Sequence, residues 1–223
     1  MDFEQAAMNS VRCYDASVMK MNGFELFHDE ELDIQIFSKA LDDKIEFVFR
    51  GTDSITDWKL DFELNKRIME WLPNTGKVHS GFLRIYEKAR SHLIERATTF
   101  ENVIIVGHSL GGGVATIAAF DMALLGKNVS VATFGSPRVG NAKFAARYNT
   151  AVPRTWRFVD PQDPIPRVPT IGFKHVAGMM TCNENGYHAG YPSAYTLSCC
   201  CVSAADHTTE NYLRSIEKGE NRV

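Results

Sequence analysis

The chain has 223 residues, of which 44% are hydrophobic and 23% are charged, as in ordinary globular proteins. This composition argues against a disordered, collagen-like or coiled-coil chain, and the length is ample for one buried core. Lysine and arginine number 24 against 27 acidic residues, giving a formal net charge of -3 without any basic run. Nucleic acid is therefore not expected as a partner.

The N-terminus and the cysteines bear on where the protein works. Met1-Asp-Phe-Glu-Gln lacks the basic and apolar regions of a secretory signal. No stretch reaches the roughly 18 apolar residues of a membrane-spanning helix. The five cysteines, three of them adjacent at Cys199–Cys201, make a poor disulfide framework, and no C-x-x-C pair indicates zinc. We expect an intracellular protein that uses no metal or cofactor.

Helical and strand-like segments alternate along the chain. The spacing of apolar residues predicts helices over residues 2–20, Phe82–Ala97, Leu110–Leu125, Ala142–Tyr148 and Thr208–Glu217. Short apolar runs predict strands at Ile34–Phe37, Ile45–Phe49, Val103–Val106, Val129–Phe134 and Thr155–Val159, and a hairpin around Asn183–Gly186. This alternation predicts an α/β fold with a mostly parallel central sheet and helices on both faces. Because no repeat or linker interrupts the chain, residues 1–223 are expected to form a single domain.

Ser109 lies in the most informative motif, Gly107-His-Ser-Leu-Gly111, between a buried strand and an apolar helix. This context predicts a nucleophile elbow, a strained turn that raises the serine hydroxyl above the sheet. The backbone N–H of Leu110 can face a developing oxyanion, whereas His108 is expected to point elsewhere. A glycine-rich phosphate loop is the alternative, but it requires other glycine and lysine spacings.

A nucleophilic serine needs a general base and an acid that orients the base. Asp160 and Asp163 both follow a predicted strand, and local chemistry leaves the choice of acid almost even. Either aspartate could instead stabilise its own turn. His207, in a loop before the last helix, is favoured as the base. His175 and His188 fall in the predicted hairpin beside apolar residues, where a packed imidazole is the more common role.

A second oxyanion donor usually comes from a loop after an earlier strand. Thr52 follows the strand that begins at Ile45, so its backbone N–H is a candidate. The other interpretation, a polar turn that simply ends the strand, is equally consistent with the residues alone.

Several separated motifs together resemble the class 3 lipases, a family of fungal triacylglycerol lipases with the α/β-hydrolase fold. The resemblance covers roughly Ile45 to Tyr212. In chain order the matching segments are Phe49-Arg-Gly-Thr52, Asp57-Trp58, Val78-His-Ser-Gly-Phe82, Gly107-His-Ser-Leu-Gly-Gly112, Thr133-Phe-Gly-Ser-Pro-Arg-Val-Gly-Asn141, Asp163-Pro-Ile-Pro-Arg-Val-Pro169, Lys174-His-Val, and Asp206-His207 with Tyr212.

The resemblance implies a serine carboxylester hydrolase acting on lipid esters through an acyl-enzyme intermediate. It implies Ser109 as nucleophile, Asp163 as acid and His207 as base. It further implies Thr52 and Leu110 as oxyanion donors. The choice of Asp163 over Asp160 at this point depends on the family's acid-bearing loop, and the strand histidine of the family is matched by His175.

The resemblance also implies that residues 54–77 form a lid, whose apolar face makes transient contact with a lipid surface. Alternatively, its apolar side chains simply pack beneath the loop. A phospholipase A1 or a feruloyl-type esterase on the same site is an alternative function. So is a catalytically silent lipase-fold signalling protein, although the ordered Ser109, Asp163 and His207 argue against it. The run Cys199–Cys201 is interpreted as packing, with lipidation as the alternative.

Overall fold

The computed structural model describes residues 1–32, 34–52, 65–190 and 207–220. The helices are α1 (Phe3–Arg12), α2 (Ala16–Met21), α3 (Ser80–Ala97), α4 (Leu110–Leu124), α5 (Ala142–Ala151) and α6 (Thr209–Glu217), with a 3₁₀ turn at Ile165–Arg167. The strands are β1 (Glu25–Asp29), β2 (Ile34–Ala40), β3 (Lys44–Phe49), β4 (Lys66–Ile68), β5 (Lys77–His79), β6 (Asn102–His108), β7 (Asn128–Phe134), β8 (Thr155–Val159), β9 (Met179–Asn183) and β10 (Gly186–Ala189).

The central sheet contains eight of the described strands in the order β1-β2-β3-β6-β7-β8-β9-β10. Strands β3, β6, β7, β8 and β9 run parallel to one another. Antiparallel strands extend the sheet at both edges. The predicted α/β-hydrolase architecture, with a mostly parallel sheet, is confirmed. Because the strands are parallel, their carboxyl ends meet at one edge, where such sheets place their sites.

Helices cover both faces of the sheet because side chains alternate along each strand. Phe47 of β3 and Ile105 of β6 enter a core shared with α3, α4 and α5. Val48 and Val106, one residue further along, enter a second core shared with α1 and α6. Helix α4 is buried over most of its length, which explains why its sequence has no polar face.

The single helix expected over residues 2–20 is in fact two helices. Helix α1 ends at Arg12. The Asp15 carboxylate then accepts hydrogen bonds from the backbone N–H groups of Ser17 (2.9 Å) and Val18 (3.2 Å). This N-cap starts a new helix, because it satisfies N–H groups that have no partner in the first turn. Apolar spacing alone does not reveal that boundary.

Three strands were not predicted from the sequence. Strand β1 pairs only with β2 at the edge of the sheet and has no fully buried residue, so it shows no alternating apolar pattern. Strands β4 and β5 have three residues each and form a separate two-stranded sheet. Such short strands are specified by their pairing partner rather than by local sequence.

Strand β4 and the first residue of β5 lie inside the predicted lid, residues 54–77. The part of that segment before residue 65 lies outside the described residues, and so does Cys199–Cys201. The lid therefore stays a prediction. Within the described ranges, no helix has both the length and the apolar character needed to cross a membrane.

Candidate active site

Ser109 occupies a strained turn between β6 and α4. Its φ is 55° and its ψ is -128°, and among the described residues it is the only non-glycine with positive φ. The Ser109 N–H donates to the carbonyl of Phe134 at 3.0 Å, and the Ser109 carbonyl accepts from the N–H of Gly112 at 3.0 Å. These bonds hold a backbone conformation that an isolated serine would leave. The predicted elbow therefore has the geometry that its motif indicates.

Gly111 permits the elbow because two backbone segments pass very close to each other there. A Cβ atom on this residue would lie 2.3 Å from the carbonyl oxygen of Phe49 and 2.5 Å from that of Arg50. No side chain fits at such distances. The second glycine of the motif is thus required by the contact between α4 and the loop after β3.

Asp163 and His207 come together from loops that are 44 residues apart in sequence. Nδ1 of His207 lies 2.6 Å from Oδ2 of Asp163, and both side chains are fully buried. The carboxylate accepts the Nδ1 proton, so Nε2 is the basic nitrogen of the neutral ring. Nε2 has no hydrogen-bond partner among the described residues. Catalytic hydrogen bonds are often formed only when substrate binds.

The Asp163 carboxylate has two further donors. The Tyr212 hydroxyl donates to Oδ2 at 2.6 Å, and the backbone N–H of Ile165 donates to Oδ1 at 2.8 Å. Burial, together with the adjacent Asp163 carboxylate, raises the pKa of Tyr212 well above its usual value. The tyrosine therefore keeps its proton and remains a donor. Three donors compensate for the loss of water around a buried negative charge.

Asp160, the alternative acid, stabilises its own loop. Its Oδ1 accepts from the backbone N–H of Gln162 at 2.8 Å, and its own N–H donates to the hydroxyl oxygen of Tyr212 at 3.1 Å. This is the turn role that the sequence left open for one of the two aspartates. The contact with His207 belongs to Asp163.

The side chains of Arg138 and His175 stabilise the loop that bears Asp163 through hydrogen bonds to its backbone. Nη1 of Arg138 donates to the carbonyl of Pro169 at 3.0 Å, and Nε2 of His175 donates to the carbonyl of Pro166 at 2.6 Å. Burial, with repulsion from Arg157 as the next cause, lowers the pKa of His175 to about 3. His175 is thus a neutral packed imidazole, as expected, although it precedes β9 instead of lying in the hairpin.

His108, adjacent to Ser109 in the turn, contacts the candidate base. Its Nε2 donates to the backbone carbonyl of His207 at 3.0 Å, and the two rings stack at 4.7 Å. Burial, and then electrostatic repulsion from His207, lowers the pKa of His108 well below its usual value. The neutral ring therefore accepts the hydroxyl proton of Tyr14 on Nδ1, at 2.7 Å. The sequence did not indicate this connection to the N-terminal helices.

Thr52 and Leu110, the two candidate oxyanion donors, line the same cavity of about 50 Å³. Leu110 is the first residue of α4, so its N–H has no partner within the helix. The residue before Thr52 lies beside the nucleophile, since a Cβ on Gly51 would be 3.1 Å from Cβ of Ser109. The structure brings both candidates to the serine, and their role stays a prediction.

Gly135 is a site residue that sequence reasoning missed. It follows β7 with a φ of +60°, and a Cβ there would lie 2.8 Å from both Oδ2 of Asp163 and Cε1 of His207. A side chain at position 135 would therefore occupy the space that the side chains of Asp163 and His207 fill. Its only sequence signal is its place in the segment that begins at Thr133, where a glycine directly follows a strand.

The fold is that of an α/β-hydrolase, and its candidate site combines an elbow serine with a buried aspartate–histidine pair. Residues 46–173, more than half of the chain, match the family model described as lipase (class 3). The chain belongs to the class 3 lipase family.

Individual relatives agree with this assignment. A secreted mono- and diacylglycerol lipase of Fusarium solani is 32% identical over 136 residues, which cover 57% of this chain and 40% of the relative. A lipase of Rhizopus niveus is 37% identical over 145 residues, covering 59% of this chain and 36% of the relative. The matches thus span less than half the length of these curated relatives. The solved Rhizomucor miehei triacylglyceride lipase shares the fold, with a TM-score of 0.77 at 22% identity over 92% of this chain and 91% of that one.

The prediction of an intracellular protein is wrong, because the Fusarium solani relative is named as a secreted enzyme. The cysteine argument behind that prediction has a physical flaw. Cys13 and Cys182 are free but buried, and burial raises the pKa of Cys13 to about 12. A protonated, inaccessible thiol reacts slowly with oxidants. Unpaired cysteines of this kind therefore do not indicate a reducing compartment.

Proposed function

We propose that this protein is a serine carboxylester hydrolase that acts on lipid esters through an acyl-enzyme intermediate. Ser109 is the nucleophile, His207 the general base and Asp163 the orienting acid. The observation that carries the proposal is the 2.6 Å contact between Oδ2 of Asp163 and Nδ1 of His207 beside a strained serine. That contact fixes the tautomer in which Nε2 can take a proton.

In the first half-reaction Nε2 of His207 takes the proton of Ser109 while Oγ attacks the ester carbonyl. The resulting oxyanion accepts hydrogen bonds from the backbone N–H groups of Thr52 and Leu110. One such donor is worth about 10²–10³ in kcat. The imidazolium of His207 is stabilised by Asp163, and its Nε2 proton passes to the leaving alcohol as the C–O bond breaks.

In the second half-reaction water attacks the acyl group on Ser109. His207 accepts one proton of that water and returns it to Oγ of the serine as the acyl–oxygen bond breaks. The products are a carboxylic acid and the regenerated enzyme. No cofactor is needed for either step.

Two observations favour lipid esters over polar ones. The cavity beside Thr52 and Leu110 is otherwise lined mainly by apolar side chains, among them Ile34, Phe49 and Val114. Such a wall suits the hydrocarbon of an acyl group better than a sugar or a charged group. Family membership points the same way, since the curated relatives above are named as lipases.

The decisive experiment compares Ser109→Ala with wild type on p-nitrophenyl butyrate and on a triacylglycerol emulsion. We expect the variant to lose turnover while its unfolding temperature stays within the range of wild type. Ser38→Ala, another buried serine on β2, serves as the control and should keep full activity. Substantial hydrolysis by the Ser109→Ala protein would rule out the assignment.

A fluorophosphonate probe separates an enzyme from a catalytically silent relative. Covalent labelling of wild type but not of Ser109→Ala is expected, because only an activated serine attacks the probe. A panel of triacylglycerol, phospholipid and feruloyl esters then compares the lipase, phospholipase A1 and feruloyl-type alternatives. The substrate with the largest kcat/KM identifies the class.

A further inference from the structure

A second cavity, of about 410 Å³, adjoins the loop that bears Asp163. Among the described residues it shares no lining side chain with the cavity beside Thr52 and Leu110. Arg157 and Met179, which line it, are directly paired between β8 and β9 and so share a face of the sheet. Pockets that bind small organic ligands have volumes of about 300–1,000 Å³. The cavity is thus large enough for a ligand of its own, and the proposed hydrolysis does not use it.

Three arginines from separate parts of the chain line this cavity. Arg138 follows β7, Arg157 lies on β8, and Arg167 ends the 3₁₀ turn. Each donates a hydrogen bond to a backbone carbonyl, at 3.0 Å for Arg138 and at 2.8 Å for Arg157. A carbonyl oxygen carries no net charge, so these bonds fix the guanidinium groups in place without cancelling their positive charge.

The charge of the arginines acts across the cavity. Arg157 is only 5% exposed, and a charge in such low-dielectric surroundings is weakly screened. His175, which also lines the cavity, responds to it. Burial is the first cause that lowers the pKa of His175 to about 3, and repulsion from Arg157 and Arg138 lowers it further. The wall of the cavity therefore disfavours another cation and favours an anion.

Two carboxylates, on Asp160 and Asp163, also line the cavity. Asp163 is 1% exposed, and its oxygens accept the three hydrogen bonds described above. The three arginines outnumber the two aspartates, and the ring of His175 is neutral, so the lining keeps a net positive charge. Arg167 is half-buried and forms no ion pair with any residue that the structure describes. It is the guanidinium best placed to meet an incoming anion.

Much of the remaining lining is apolar. It is formed by Val159, Pro161, Pro166 and Met179. A small inorganic anion would leave these side chains facing water, whereas an anion with an alkyl chain would cover them. The lining therefore matches a ligand with one negative head and one hydrocarbon tail.

We propose that this cavity binds a fatty-acid anion at a site separate from the reaction site. The carboxylate accepts charge-assisted hydrogen bonds from Arg167, with Arg138 and Arg157 adding positive charge behind it. The alkyl chain packs against Val159 and Met179. Such a ligand belongs to the same chemical class as the acid that the proposed hydrolysis releases. Binding requires no hydrolysis, however, so the inference goes beyond the proposed function and can be tested apart from it.

The test titrates the wild-type protein with sodium decanoate, below the concentration at which decanoate forms micelles, in an isothermal calorimeter. We expect saturable binding, and binding of the neutral analogue decanol that is weaker on the order of tenfold, because it lacks the charged head. Arg167→Gln should lower the affinity for decanoate by a similar factor. Sodium butyrate should also bind more weakly than decanoate, because its chain covers less of the apolar wall.

A pair of substitutions at Thr170 locates the bound decanoate. Thr170 lines the cavity and is exposed, so both variants should fold as wild type does. Thr170→Glu introduces a carboxylate that repels the ligand and should lower its affinity about tenfold or more. Thr170→Gln, with a side chain of the same size and no charge, is the matched control and should bind as wild type does.

Four outcomes would overturn the proposal. They are the absence of saturable decanoate binding, equal affinity for decanoate and decanol, equal affinity for decanoate and butyrate, and equal binding by the two Thr170 variants. The last result would mean that decanoate occupies another site, such as the cavity beside Thr52 and Leu110. Because decanoate is not an ester, its binding by a protein that hydrolyses no ester would contradict only the proposed function.

Discussion

Tyr212 donates its hydroxyl proton to Oδ2 of Asp163 at 2.6 Å, and the same oxygen accepts Nδ1–H of His207 at 2.6 Å. Two donors on one oxygen hold the carboxylate in a single rotamer and point it at the imidazole. Because Tyr212 lies on α6, the last described helix fixes the geometry of a loop 49 residues earlier. Orientation of the acid is therefore a property of the packed molecule.

Removing this hydroxyl should impair catalysis more than binding. For Tyr212→Phe we expect kcat to fall about tenfold with little change in KM, because a hydrogen bond to a charged acceptor is worth about 1.5–3 kcal/mol. Steady-state kinetics on a soluble p-nitrophenyl ester measures both constants. Tyr148→Phe is the control, since that buried hydroxyl bonds to Thr155 away from the site. An unchanged kcat in the Tyr212 variant would contradict the positioning role.

A methyl group at Gly135 should displace the aspartate–histidine pair. We expect Gly135→Ala to lower kcat by about 10² or more, because small misplacements of catalytic groups are that costly. Gly126→Ala separates this effect from backbone strain. Gly126 also has positive φ, +86°, but nothing lies within 4 Å of its Cβ position. The left-handed backbone should cost each variant about 1–2 kcal/mol of stability, with a further loss from the clash at Gly135, and only Gly135→Ala should lose activity.

Acid should destabilise the fold through two buried imidazoles, His108 and His175. Burial lowers the pKa of each, that of His175 to about 3. The unfolded chain binds more protons below about pH 6.5, so the free energy of unfolding falls as pH falls. For His175 alone the loss between about pH 6.5 and pH 5 is about 1.5 kcal/mol.

Urea unfolding of wild type and His175→Gln at both pH values measures this contribution. The variant is expected to start less stable, since it loses the hydrogen bond to Pro166, but to lose less stability on acidification. Parallel pH dependence of the two proteins would show that His175 binds protons equally in the native and unfolded states, contrary to its burial.

Asp121 of α4 is a buried carboxylate whose loss should destabilise the fold. It accepts hydrogen bonds from Nε1 of Trp71 (3.0 Å), the hydroxyl of Tyr86 (2.7 Å) and Nε of Arg90 (2.6 Å). Its side chain is 1% exposed. In Asp121→Asn, the side-chain NH₂ group faces hydrogen-bond donors that need an acceptor. The substitution also removes the negative charge that pairs with Arg90. We expect a loss of about 3 kcal/mol in denaturant unfolding.

Glu31→Gln is the matched control for that substitution. Its carboxylate also pairs with two cations, Arg84 and Lys88, but its side chain is 63% exposed. Water and salt screen such pairs, so a loss of less than about 1 kcal/mol is expected. Equal losses in the two variants would mean that burial does not govern these ion pairs.

Local sequence patterns were sufficient to predict the elements whose structure depends on residues close in sequence. The glycines around Ser109 predicted the elbow, since backbone proximity there leaves no alternative residue. The apolar run of α4 and the strands beside it predicted the covered parallel sheet. Element boundaries failed where a single side chain decides them, as with the Asp15 cap that splits the first helix.

What the sequence alone determined about this protein is its fold class, its family resemblance and the candidate residues Ser109, Asp163 and His207, because each leaves a motif readable in a short segment. Only the tertiary structure decided which atoms meet. The carboxyl ends of parallel strands and the last helix converge from distant parts of the chain, so the contacts of Tyr212, His108 and Gly135 with the aspartate–histidine pair have no local signature.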